Sequence, residues 1–197
     1  MNPIELVLNY LNTRMELWQS YHSHKENMAN AGFLVQMSLF TAITTKTIWP
    51  PEWINKIIHA PEYYTFAIYF LFWYLIHYYM RWQLINKRIA AIYVSGFERA
   101  YKKLVTTKKT EILELKPYRG PDYTQTPYWK KFLASLIYLP DGFIKMDATV
   151  RGLPTFLAKE IIDQIRQGSG SATLEILMTY SSILMMIIVF VKTFFGN

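Results

Sequence analysis

"EYYTFAIYFLFWYLIHYYMRW", Glu62 to Trp82, decides how the rest of the chain is read. Eleven of the twenty residues from Tyr63 to Trp82 are Phe, Tyr or Trp, and Arg81 is the only charge among them. An α-helix needs roughly 20 such residues to cross a bilayer core of about 30 Å. Tyr63 and Tyr64 crowd one end, and Tyr78, Tyr79 and Trp82 the other. Rings with a polar edge favour the headgroup zone, so this distribution suits a span. Pro61 stands where a helix can start, and Arg81 closes the segment.

Working outward, "TLEILMTYSSILMMIIVFVKTFFGN" at the C-terminus is the clearest second span. It has no charge from Ile176 to Val191, and Glu175 and Lys192 sit at its ends, within reach of the interface. A third span is read from Met28 to Trp49, "MANAGFLVQMSLFTAITTKTIW". Gln36, the threonines and Lys46 dilute it, but next to Glu62–Trp82 it forms the first arm of a membrane hairpin. The N-terminal "MNPIELVLNYLNTRMELW" lacks the basic leader and compact apolar core of a secretory signal. Leu8, Leu11, Met15 and Trp18 recur every three or four residues, as in a short amphipathic helix.

Charge sets the orientation. Arg81 to Ala172 holds sixteen Lys/Arg against eight Asp/Glu, and the remainder of the chain holds five against six. Lys and Arg beside spans are retained in the cytoplasm. The basic block and the N-terminus are therefore expected inside and the C-terminus outside, with Lys46 and Lys56 as exceptions. Within the block, "LINKRIAAIYVSGFERAYKKLV" continues the helical period of the aromatic span, so that one long helix is expected to enter the cytoplasm. Lys87, Arg88, Arg99, Lys102 and Lys103 form its basic face. "YWKKFLASLIYLPDGF" is too short to span and is expected against the interface or the bundle. "LPTFLAKEIIDQIRQ" reads as an amphipathic helix and "GSGSA" as a joint.

The organisation expected is an all-α integral membrane protein. Residues 1–27 form an amphipathic segment, 28–82 a two-span hairpin, 83–172 a basic cytoplasmic helical region, and 173–197 a terminal transmembrane helix.

Candidate chemistry is sparse. The chain has no cysteine, which excludes disulfides, thiol nucleophiles and thiolate metal sites. His22, His24 and Glu26 lie just before the first span, and His22 and Glu26 have the i, i+4 spacing of helical metal ligands. His24 points some 200° away at about 100° per residue. The three are therefore read as the polar foot of the first span, with no metal and no cofactor. His77, Thr179 and Ser182 are the candidate polar positions within the membrane, and an ionisable group at such depth is a functional candidate. No phosphate loop, nucleophile elbow or metalloprotease motif occurs, and Asp141, Asp147 and Asp163 are scattered.

"ELWQSYHSHKENMANAGF" leading into a span, the hairpin up to "HYYMRWQLINKR", and the basic helix after it resemble the small membrane effectors of bacterial anti-phage systems, of the retron and cyclic-nucleotide-signalling kinds. The third span departs from the simplest two-span layout. The resemblance implies an inner-membrane, toxin-like effector that permeabilises the bilayer when activated. It also implies no catalytic residues. The partners expected are the bilayer and either further copies of the chain or a co-encoded regulatory protein; direct nucleic-acid binding is not expected. A non-catalytic scaffold or accessory subunit of a membrane complex is the alternative. A membrane enzyme dependent on His22, Glu26 and His77 comes third.

Overall fold

The computed structural model describes residues 3–45, 61–107, 116–120, 127–139, 150–167 and 172–195, with the side chains of residues 3, 61 and 62 excepted. Lys46, Trp49, Lys56, His59, Asp141, Asp147 and the stretch 168–171 lie outside them. Among the described residues the chain is helical: α1 (Pro3–Thr44), α2 (Pro61–Thr107), α3 (Tyr128–Leu136), α4 (Thr155–Gln167) and α5 (Thr173–Phe195).

The amphipathic segment and the first apolar segment are one helix of 42 residues. The aromatic segment and the basic helix after it are likewise one helix of 47 residues, as the uninterrupted period implies. Pro61 opens α2 at a position where its missing N–H costs no hydrogen bond. Three of the hydroxyls that dilute the second half of α1 bond to its own backbone. Ser38 donates to the Leu34 carbonyl at 3.0 Å, Thr44 to Phe40 at 2.8 Å and Thr45 to Thr41 at 2.8 Å. Back-bonding of this kind satisfies a hydroxyl within the helix's own turn.

α5 is the one helix, among the described residues, long and apolar enough to cross a membrane, and it is compatible with a transmembrane segment. The aromatic half of α2 does not reach that apolarity, because Tyr and Trp carry polar atoms.

The chain divides into two compact units, each assembled from separated stretches. Unit 1 comprises Met1–Glu26, Leu84–Ala134 and Leu139–Ala172. Its core gathers Leu11, Ile92, Phe97, Leu157 and Ile161, all almost fully buried, and Trp18 stacks on Tyr93 with ring centroids 4.2 Å apart. α2 and α4 meet at Gly96, where a Cβ would lie 2.6 Å from Ile161 Cγ1, so only glycine allows that approach. The Tyr118 N–H donates to the Leu153 carbonyl and the Gly152 N–H to the Tyr118 carbonyl, tying 116–120 to the start of α4. Gly152 has φ +83°, a conformation that side-chain-bearing residues avoid.

Unit 2 comprises Asn27–Gln83, Ser135–Tyr138 and Thr173–Asn197. In it α1 and α2 run antiparallel. Gly32 lies against Ile76, Tyr79 and Met80, and Leu39, Phe40 and Ile43 pack around Tyr69 and Trp73. α5 is also antiparallel to α2, with Phe66 against Phe190 and Phe194 at one end and Arg81 against Glu175 at the other. Lys192 donates to the Thr44 carbonyl at 2.6 Å and so caps the end of α1.

Candidate functional site: a buried polar seam

The seam follows from two helical spacings. Trp73, His77 and Arg81 are each four residues apart and share one face of α2. Glu175, Thr179 and Ser182, spaced four and three, share one face of α5. In unit 2 these faces meet, and all six side chains are buried.

The ring nitrogens of His77 have distinct roles. Nε2 lies 2.7 Å from the Leu136 carbonyl, which can only accept, so Nε2 carries the proton. Nδ1, 2.8 Å from Ser182 Oγ, then accepts the serine hydroxyl proton of a neutral imidazole. Trp73 Nε1 donates to the Ser182 carbonyl at 2.9 Å and to its Oγ at 3.2 Å, and the indole stacks on the imidazole. The hydrogen bonds therefore run in one direction, from Trp73 through Ser182 and His77 to the end of α3.

One turn along, Arg81 is fully buried and forms a salt bridge with Glu175. Its Nη1 also donates to Thr179 Oγ1 at 3.1 Å, and its Nη2 to the Ile137 carbonyl at 2.9 Å. A buried pair of this kind needs such extra bonds to offset the cost of taking two charges out of water. Leu136 and Ile137 leave carbonyls exposed because the last turn of a helix has no intrahelical donors, and His77 and Arg81 supply them. On α1, Gln36 is buried and donates to the Trp73 carbonyl at 3.3 Å.

His77, Thr179 and Ser182, the three polar positions expected within the membrane, thus come together. The sequence reading missed Arg81 and Glu175 as seam members, because each sits at the edge of an apolar run and reads as an interfacial end. It also missed Trp73, hidden in an aromatic stripe. The signal that finds them is the matched spacing of polar residues, with opposite charges, on two otherwise apolar helices.

The remaining candidates lie in unit 1. His22 is half-buried, and that burial, with Lys87 nearby, lowers its pKa below the usual 6.5 against an opposing pull from Glu26. Glu26 pairs with Lys87 at 2.7 Å, and His24 is exposed. Among the described residues no three His, Asp or Glu gather as metal ligands would. Of the basic face, Arg88 is buried and donates to the Leu139 carbonyl at 3.1 Å. Arg99 bonds Gln167, Lys102 pairs with Glu98 at 2.6 Å and Lys103 with Glu160 at 2.7 Å.

Chemically, the Ser182–His77 contact has the distance of a nucleophile and base. Both side chains are fully buried, however, and the imidazole is oriented by a helix-end carbonyl rather than by a carboxylate. The arrangement holds helices in register and stores polar groups inside an apolar bundle. Comparison with protein-family models, curated proteins and solved structures finds no match to this chain.

Proposed function

We propose that the chain is a multi-pass protein of a bacterial inner membrane, crossing it with the second half of α1, the first half of α2, and α5. One observation carries this reading: unit 2 buries an ion pair, a histidine and hydroxyls between its helices while large apolar side chains cover its outside. Leu34, Val35, Ile68, Leu71, Phe72 and Leu75 are exposed on α1 and α2, as are Leu177, Leu184, Ile187 and Ile188 on α5. A surface of this composition is stable in lipid and costly in water. The exposed apolar run of α2 ends at Trp82, and between Gln83 and Leu104 no large apolar side chain is exposed. With the basic block beside that end, the N-terminus and residues 83–172 are cytoplasmic and the C-terminus is outside.

The function this supports is a membrane effector of an anti-phage system, which perturbs the bilayer when activated. A bundle that stores an ion pair, a histidine and hydroxyls along its seam has the groups needed to line a wet path once its helices separate or pair with other copies. The resemblance of the first half of the chain to such effectors points the same way. The test is tightly induced expression in bacteria, alone and with the genomic neighbours, following growth, membrane potential and propidium uptake. Depolarisation that precedes growth arrest, and is lost when α5 is deleted while the remainder stays in the membrane, is the expected result. Normal growth and intact potential at high membrane levels, with the neighbours present, would overturn it in favour of an accessory subunit.

A further inference from the structure

Unit 2 takes four residues, Ser135–Tyr138, from a stretch whose neighbours on both sides belong to unit 1. Two of the four bind the seam through their backbone. His77 Nε2 donates to the Leu136 carbonyl at 2.7 Å, and Arg81 Nη2 to the Ile137 carbonyl at 2.9 Å. Each of these side chains has a second anchor on α5. His77 Nδ1 accepts from Ser182, and Arg81 Nη1 bonds Glu175 and Thr179.

The two sides of the seam are held differently. α5 is fixed to α2 by Phe66 against Phe190 and Phe194, by the Trp73 bonds to Ser182, and by the buried ion pair. Among the described residues, the apolar cluster of unit 2 includes no side chain from Ser135–Tyr138. Leu136, Ile137 and Tyr138 are only half-buried. A short stretch outside the apolar core opens at lower free energy than a packed helix does. Once its carbonyls leave, His77 Nε2–H and Arg81 Nη2–H are buried donors without acceptors, a costly state unless water takes their place. The bonds to α5 survive that change, so water enters while α2 and α5 stay together.

We propose that Ser135–Tyr138 is a strap that keeps the polar seam dry, and that lifting it is the step that lets water in. This rests on the effector reading above, to which it adds the part of the chain that restrains the path before activation.

The test uses the full-length chain in phospholipid vesicles. The protein has no cysteine, and Met178 is buried on α5 between Glu175 and Ser182, so Met178→Cys places a single thiol beside the seam. In that parent, Ile137→Pro/Tyr138→Pro re-aims the Leu136 and Ile137 carbonyls, because proline restricts the residue before it. Ile137→Ala/Tyr138→Ala removes the same side chains and keeps the carbonyls in place. With matching circular dichroism, the thiol of the proline variant should react with a water-soluble maleimide about tenfold faster than that of the alanine variant. Equal rates overturn the proposal, as does a thiol that already reacts in the parent as fast as in the urea-unfolded chain. A second measurement needs no proline. In the parent, the Leu136–Tyr138 amides should exchange hydrogen faster than those of α5, and the thiol should react at the faster rate; reaction only at the rate of α5 overturns the strap. A reactive thiol in the proline variant, in vesicles that still retain their dye, supports the strap and overturns the effector reading instead.

Discussion

Units 1 and 2 are built on the same two long helices and sort their residues by opposite rules. Unit 1 buries Leu11, Ile92, Phe97, Leu157 and Ile161, and leaves the ion pairs Lys102–Glu98 and Lys103–Glu160 at its surface. Among the described residues, unit 2 holds eight of the ten buried polar ones, including Gln36, His77, Arg81, Glu175, Thr179 and Ser182. It also holds twenty-three of the thirty-two exposed large apolar side chains among the described residues. The first pattern is what water selects. In the second, polar side chains are buried beside an apolar core of Tyr69, Trp73 and Val189 while large apolar side chains are exposed, a pattern that the membrane reading proposed above would account for. The difference teaches that hydrophobic periodicity alone does not tell which face of a helix is inside. The solvent must be known first.

The comparison breaks most readily at Arg81. Arg81→Ala leaves Glu175 buried without its partner, and the loss should be about 3–5 kcal/mol in thermal unfolding of the detergent-solubilised protein. Hydrogen exchange should show α5 losing protection first. Arg81→Met with Glu175→Leu removes both charges and should recover most of that loss. Unchanged α5 protection in Arg81→Ala would mean that the seam does not hold unit 2 together.

Two glycines sharpen the contrast between the interiors. Gly96→Ala drives a methyl to 2.6 Å from Ile161 Cγ1, so overpacking should cost about 1–3 kcal/mol, less the fraction returned by better helix propensity. Gly32→Ala meets Met80 and Tyr79 at 3.6 Å, an ordinary contact, and should be neutral or slightly stabilising. Equal melting temperatures for the two variants would show that the α2–α4 approach is looser than the structure has it.

Ser182→Ala removes the hydroxyl from His77 Nδ1 while Trp73 keeps the Ser182 backbone carbonyl. The expected cost is about 1–2 kcal/mol, read by the same unfolding assay. A larger loss would make the seam more cooperative than its pairwise bonds imply.

The smallest effect is the titration of His22. Its folded pKa lies below 6.5, so as pH falls through 6.5 the unfolded chain takes up the proton first. Folding stability should therefore decline from pH 6.5 downward until the folded pKa is passed, and be level with respect to this group above 6.5. His22→Gln should flatten that part of the stability–pH curve. An unaltered slope would assign it to other groups.

Much of the fold was legible because it depends on local pattern. The period of Leu8, Leu11, Met15 and Trp18 marks only the start of α1, read as a short helix where the structure has one of 42 residues, and the unbroken period from Tyr63 to Leu104 marks α2 as one helix. The charge-free run from Ile176 to Val191 marks α5. The seam was legible by half. His77, Thr179 and Ser182 stand out as polar residues in apolar runs, whereas Arg81 and Glu175 sit where a charge ordinarily reaches water. Nothing in the sequence says that the Leu136 and Ile137 carbonyls, at and just past the end of α3, are held by His77 and Arg81.

By itself the sequence determined which segments are helical, that three of them are rich in apolar side chains, and that positive charge is concentrated between Arg81 and Ala172. These follow from propensity, periodicity and composition, which are properties of neighbours in the chain. Only the tertiary structure decided that Arg81 and Glu175 are a buried pair, that Ser182 and Leu136 set the tautomer of His77, and that, among the described residues, most buried polar and most exposed large apolar side chains belong to unit 2. Those outcomes join residues about 50 to 110 positions apart, and desolvation acts only on the groups that long-range packing brings together.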